Sequence, residues 1–194
     1  MLPKYDKSKR RKGFEQLPKG AYVIKILAAR EEQNKNSAGR HLAIVFDIAE
    51  GEYKGFYENL YKSRINEDKG WSPDGMTCVN IPDDDSPAYV WTNWNSFFSD
   101  LEDSNNGFVF SGDVGTLKGK VIGGKFAIEQ SEFNGNVYDH TKFKWSCVAD
   151  DVRNGRPGQM PKDKLLTVNK VETPETPVNA FFSIDPEKDG LPFA

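Results

Sequence analysis

The chain has 194 residues, of which 37% are hydrophobic and 28% charged, and its net charge is −3. Such a composition suits one globular domain of ordinary size with tails, or two small domains, and no run of about 18 apolar residues is present to span a membrane. Cys78 and Cys147, far apart and in no paired motif, read as reduced thiols rather than a disulfide or a zinc site, and His41 and His140 are too few for a His-based metal site.

Residues 1–16 read as a basic arm, with Lys4, Lys7, Lys9, Arg10, Arg11 and Lys12 set against Asp6. The arm lacks the apolar centre of a signal peptide, so export is not expected and a cytoplasmic location is. It has no register that would pack. It either binds polyanions without specificity or keeps the terminus soluble. Leu17-Pro18-Lys19-Gly20 is a turn into the first strand. In AYVIKILAARE, Tyr22, Ile24, Ile26 and Ala28 alternate with Val23, Lys25 and Leu27, which is strand period. After the polar NKNSAG loop, HLAIVFDIAEG puts Leu42, Ile44, Phe46 and Ile48 on one face. YKGFYENLYKS then reads as a third strand, completing an antiparallel meander.

Residues 65–88 are rich in Gly, Pro and acids and read as a long loop. Ser86-Pro87 looks like a helix start, with serine as cap and proline at the first helical position. Val90, Trp94, Phe97, Phe98 and Leu101 then recur at helical spacing up to Asn105-Asn106-Gly107. LKGKVIGGKFAIEQSEF is the next strand, with Ile122, Phe126 and Ile128 on one face, and Asn134-Gly135 is a hairpin turn. The return strand is VYDHTKFKWSCVADD, and the Arg153–Gly158 stretch closes the folded part. Past 160 the chain is rich in Pro, Thr and Glu and reads as a disordered linker and acidic tail. Three strands, a helix and two strands is the order of a five-stranded OB-fold barrel. The expectation is therefore a mainly β domain over 17–160, with one α-helix between strands 3 and 4 and flexible termini.

Motifs for catalysis are missing. There is no Gly-rich phosphate loop with Lys-Ser/Thr, no Gly-x-Ser-x-Gly and no His-x-x-x-His pair. Gly119, Gly123 and Gly124 lie in or beside a strand, where glycine permits tight curvature. Asp83-Asp84-Asp85 would suit a cation or a nuclease-like centre, but neighbours on an extended chain point opposite ways, so a solvated acidic loop is the plainer reading. No metal, no cofactor and no enzymatic activity are expected.

Charge is polarised: the first twelve residues carry six bases against one acid, whereas 67–103 carry nine acids against one base. Aromatic and basic residues fall together in the strands. Tyr57 and Tyr61 share a parity leading to Lys62 and Arg64. Lys125 stands opposite in parity to Ile122, Phe126 and Ile128. His140, Lys142 and Lys144 share one face, with Thr141, Phe143 and Trp145 on the other. Isolated lysines are seldom fully buried, so the lysine face is expected outside. Trp71 stands alone in the long loop, as a stacking residue or an anchor, and Arg153 lies at the close. Bases stack on aromatic rings while cations track phosphates. The bland alternative is a merely solvated sheet.

The chain ends in Asp185, Glu187, Asp189, Leu191, Pro192 and Phe193, after a Pro/Thr-rich linker. With the expected barrel, this resembles the single-stranded DNA-binding proteins, whose bacterial members end in aspartates followed by Ile-Pro-Phe. The resemblance implies a tip that binds replication and recombination proteins. Here Ala194 follows Phe193 and Lys188 interrupts the acids. The core also resembles an uncharacterised family of bacteriophage proteins, through GAYVIKI, LKGKVIGGKFAIEQSEFNGNVY and ADDVRNG. Together these imply sequence-independent coating of single-stranded DNA in phage replication or recombination, inside the bacterial host. The edge strands and the arm offer routes to a homodimer. Two rival readings stand beside this one. In the first, an OB-like scaffold serves a recombinase or helicase without binding DNA itself. In the second, a metal-dependent nuclease uses the Asp83–Asp85 loop.

Overall fold

The computed structural model describes residues 16–34, 39–64 and 70–166. The basic arm to Lys12, and the tail residues Asp185 to Phe193, lie outside the described residues.

Five antiparallel strands form one open sheet in the order β3-β2-β1-β4-β5. They are β1 (Gly20–Gln33), β2 (Arg40–Ile48), β3 (Met76–Ile81), β4 (Val121–Phe133) and β5 (Asn136–Cys147). The expected closed barrel is thus corrected: β3 and β5 are the two edges and no ladder joins them. Among the described residues three α-helices accompany the sheet, α1 (Phe56–Ser63), α2 (Ala88–Asp103) and α3 (Ala149–Arg153). The expected helix between the third and fourth strands is α2.

Sequence reading misplaced the third strand. YKGFYENLYKS is not a strand: its last eight residues are α1. Phe56, Tyr57, Leu60 and Tyr61 recur at three and four, while Tyr57, Asn59 and Tyr61 recur at two, and so short a segment fits either period. A long-range contact decides it. The buried Asp47 carboxylate of β2 accepts the backbone N–H of Tyr57 (2.9 Å) and of Glu58 (3.0 Å). It thereby caps a helix whose own N-cap, Gly55, has no side chain. The true third strand, MTCVNI, lies in the stretch read as a loop. Six residues on an edge, with Cys78 and Asn80 exposed, leave little apolar signal.

The core fills one face of the sheet. Ile24 and Ile26 of β1, Leu42, Ile44, Phe46 and Ile48 of β2, and Ile122 and Phe126 of β4 are all buried. α2 adds Phe97, Phe98 and Leu101. At about 1.5–3 kcal/mol for each fully buried large apolar side chain, this set is the main source of stability. Ser86 does not cap α2 as expected. Its hydroxyl donates to Asp83 Oδ1 (2.6 Å) and accepts from Asp83 N (2.9 Å), closing the acidic turn on itself.

Two bulges bend the sheet. In β1 the register slips between Ile26 and Ala28, so Leu27 is the extra residue and Ala28 leaves the core face. In β5, Lys125 pairs with Trp145 but Phe126 pairs with Phe143, so Lys144 is the extra residue. Gly124 is required nearby, because a Cβ there would stand 2.9 Å from the Phe126 and Phe143 rings. The hairpin turn is as expected, Asn134 and Gly135 both having positive φ, at 51° and 74°. Residues 161–166, expected to belong to a disordered linker, are docked on β4. Asp163 Oδ1 accepts from Ile128 N (3.0 Å), and Lys164 bridges β4 in parallel at Glu129.

Candidate functional site

Two clefts open beside the seam between β3 and β5. The larger, of about 490 Å³, is walled by Thr77–Asn80 of β3, by Val90, Asn93, Ser96 and Phe97 of α2, and by Lys125 with Phe143–Ser146. The smaller, of about 340 Å³, lies among Phe56, Tyr57 and Leu60 of α1, Arg64 just past its end, Ser72 and Asp74, and Tyr138, Asp139 and Thr141 of β5. The turn Pro73–Gly75, just before β3, lies against β5 between them.

The bulge at Lys144 sets the chemistry of the larger cleft. It reverses the alternation of β5, so Trp145 leaves the inner face expected for it and stands directly across from Lys125, 48% exposed. The Lys125 ammonium donates to the Gln159 carbonyl (3.3 Å) and, among the described residues, has no carboxylate within ion-pair distance. A half-exposed indole beside such an ammonium can stack a flat ring and meet an anion at once. Asn80 and Asn93 add amide donors and acceptors along the wall.

Among the described residues, the other cations singled out by sequence carry internal partners. Lys144 is bonded to Glu129, as is Lys164 (3.1 Å), and these two ammonium groups lower the Glu129 carboxyl to about 2. Lys142 contacts Asp74 at 2.6 Å, and His140 contacts the same carboxylate at 3.4 Å. Arg153 is clamped by Glu50 and Asp150, both at 2.6 Å, which push its guanidinium further up. Lys62 pairs with Glu58 along α1 (2.7 Å), and Arg64 donates to the Gly70 carbonyl (2.7 Å).

The aromatic expectations divide. Tyr57 is not on a surface: it is 1% exposed, packed edge-on to Phe46 and Phe56, because α1 turns it into the core. Its hydroxyl has no hydrogen-bond partner among the described residues, and burial raises it well above the ordinary tyrosine range. Tyr61 lies 6.0 Å from Trp71, whose indole N–H donates to the Gly75 carbonyl (3.1 Å). Trp71 is therefore an anchor packed on the core. Sequence reasoning missed the exposed Phe133, Val137 and Tyr138 of the β4–β5 hairpin, and Tyr89 and Trp91 of α2. The hairpin trio had a signal: β4 outruns β1, which pairs only as far as Phe126, so the distal hairpin has no sheet to cover it.

Among the described residues no group of three His, Cys, Asp or Glu side chains is placed to hold a metal ion. Burial raises the Cys147 thiol to about 11 and pushes the Cys78 thiol up as well. Among the described residues no helix is long and apolar enough to cross a membrane.

The family described as "Protein of unknown function (DUF669)" matches residues 3–72, a stretch that takes in β1, β2 and α1. Among curated proteins, none matches the chain.

Proposed function

We propose that the chain is an OB-fold protein that binds single-stranded DNA without sequence preference, through the β3–β5 seam and the adjoining β4–β5 hairpin. The observation that carries this reading is the facing pair of Lys125 and Trp145 in the larger cleft. Stacking on an aromatic ring contributes roughly 1–3 kcal/mol per base and tolerates any base. The strand order β3-β2-β1-β4-β5 supports it further, being that of a five-stranded OB barrel left open between its third and fifth strands. Oligonucleotide-binding OB folds use the face of strands 2 and 3 and the loop between strands 4 and 5. Here that loop is the hairpin that exposes Phe133 and Tyr138.

In this reading the protein acts in phage replication or recombination, and Asp185 to Phe193 recruit partner proteins. The phage setting rests on the resemblance of the core sequence, and the recruitment on that of the sequence ending. A second reading, a scaffold that binds protein rather than DNA, draws on one observation. Lys62, Lys142, Lys144 and Arg153 already face carboxylates.

Fluorescence anisotropy of labelled oligo-dT against duplex of equal length, across a salt series, separates the two. The DNA reading expects tight single-strand binding that weakens with salt, and much weaker duplex binding. Feeble, equal binding to both leaves the scaffold.

A further inference from the structure

The two clefts are divided by one electrostatic contact. Asp74 Oδ1 lies 2.6 Å from Lys142 Nζ, Asp74 Oδ2 lies 3.4 Å from His140 Nδ1, and Lys142 also reaches the Pro73 carbonyl at 3.5 Å. Among the described residues Lys142–Asp74 is the only lysine or arginine ion pair joining the Pro73–Gly75 turn or β3 to β5, with the His140 contact beside it. The clasp falls at the boundary between the clefts along both edges. Ser72 and Asp74 line the smaller and Thr77–Asn80 the larger; on β5, Tyr138, Asp139 and Thr141 line the smaller and Phe143–Ser146 the larger. The Lys142, His140 and Asp74 side chains are 29%, 36% and 25% exposed, so the contact is within reach of a ligand.

We propose that Lys142 and His140 form a phosphodiester-binding cradle, that Asp74 occupies it in the free protein, and that a strand phosphate displaces this carboxylate to join the two clefts. The inference rests on the single-stranded DNA reading and deepens it. A carboxylate and a phosphodiester both present anionic oxygens to an ammonium, so one replaces the other on the same donor. Asp74 is carried by a single turn, its backbone N–H donating to Ser72 Oγ at 3.4 Å, a long contact. Moving it does not require breaking a ladder. The joined groove follows β5 from Tyr138 to Ser146, about 26 Å at strand rise, which suits the low end of OB-fold site sizes, about four nucleotides.

The test is the salt dependence of oligo-dT binding by the full chain, with Asp74→Asn and the double variant Asp74→Asn/Lys142→Gln. Removing the internal anion leaves Lys142 with a counterion to release. Asp74→Asn is therefore expected to steepen the log–log salt slope by about 0.7 and to tighten binding roughly five- to tenfold at 50 mM salt. The double variant is expected to return to the wild-type slope. An unchanged Asp74→Asn slope, or a gain that survives in the double variant, overturns the cradle. If wild type and Asp74→Asn both fail to bind oligo-dT, the DNA reading falls with it. A measurement on the unmutated chain covers loss of folding. The Asp74 Cγ resonance is expected to move in step with oligo-dT saturation, and a stationary resonance under saturating oligo-dT overturns the proposal.

Discussion

Tyr57 and Trp145 show how differently two aromatic residues serve this molecule. Tyr57 is buried with a hydroxyl that has no partner among the described residues, a situation that costs about 1–3 kcal/mol in desolvation. Tyr57→Phe is expected to raise stability by about 1 kcal/mol in chemical denaturation, an effect far larger than any it has on oligo-dT affinity. Trp145 is half-exposed and directly opposite Lys125. Trp145→Ala is expected to weaken oligo-dT binding by about 1–3 kcal/mol while barely moving the thermal midpoint. The reverse pattern, with affinity following Tyr57 and stability following Trp145, would mean the binding surface has been misassigned. Little of this contrast was legible in the sequence. Tyr57 was read on an exposed strand because Tyr57, Asn59 and Tyr61 alternate, and the Asp47 cap that selects the helix comes from another element. Trp145 was read as inward because alternation was carried through Lys144, and a single extra residue in β5 reverses every side chain after it.

At the scale of elements, the hairpin β4–β5 and the segment after Gly158 form a small unit of their own. Lys164 N donates to the Ile128 carbonyl (2.8 Å), and Gln130 N donates to the Lys164 carbonyl (3.0 Å), extending β4 where β1 has ended. Glu129, bonded by Lys144 and Lys164, pins this addition, and Lys19 with Ile128 N holds the Asp163 carboxyl below its usual range. The Glu129 carboxyl is depressed from 4.5 to about 2 in the folded chain. Its stabilisation is therefore complete above pH 4.5 and is lost as pH falls toward 2. Protection factors at Gln130 and Lys164, taken relative to the intrinsic exchange rate at each pH, are expected to fall across that window, ahead of protection at the core residue Phe46. Simultaneous loss at all three would place the weak point elsewhere. The hairpin itself was plain in the sequence, because Asn134-Gly135 requires positive φ at both positions and few other pairs accept it. The segment that docks on it was not. Prolines and polar residues mark 156–164 as loop, and the contacts that hold it lie on a distant strand.

At the scale of the molecule, β1, β2, β4, β5 and the position of α2 followed from simple periodicity, while β3 and closure did not. Whether β3 and β5 pair depends on sheet curvature, on the two bulges and on α2, which lies against both strands. The result is an open seam with a cleft on each side of Asp74, and the proposed activity depends on that seam. Cross-linking tests the location directly. The full chain is bound to oligonucleotides containing 5-iododeoxyuridine, irradiated, and mapped by mass spectrometry. The account predicts adducts on Trp145 and on the hairpin aromatics Tyr138 and Phe133. Adducts confined to the basic arm, or to residues outside the seam and hairpin, would contradict it.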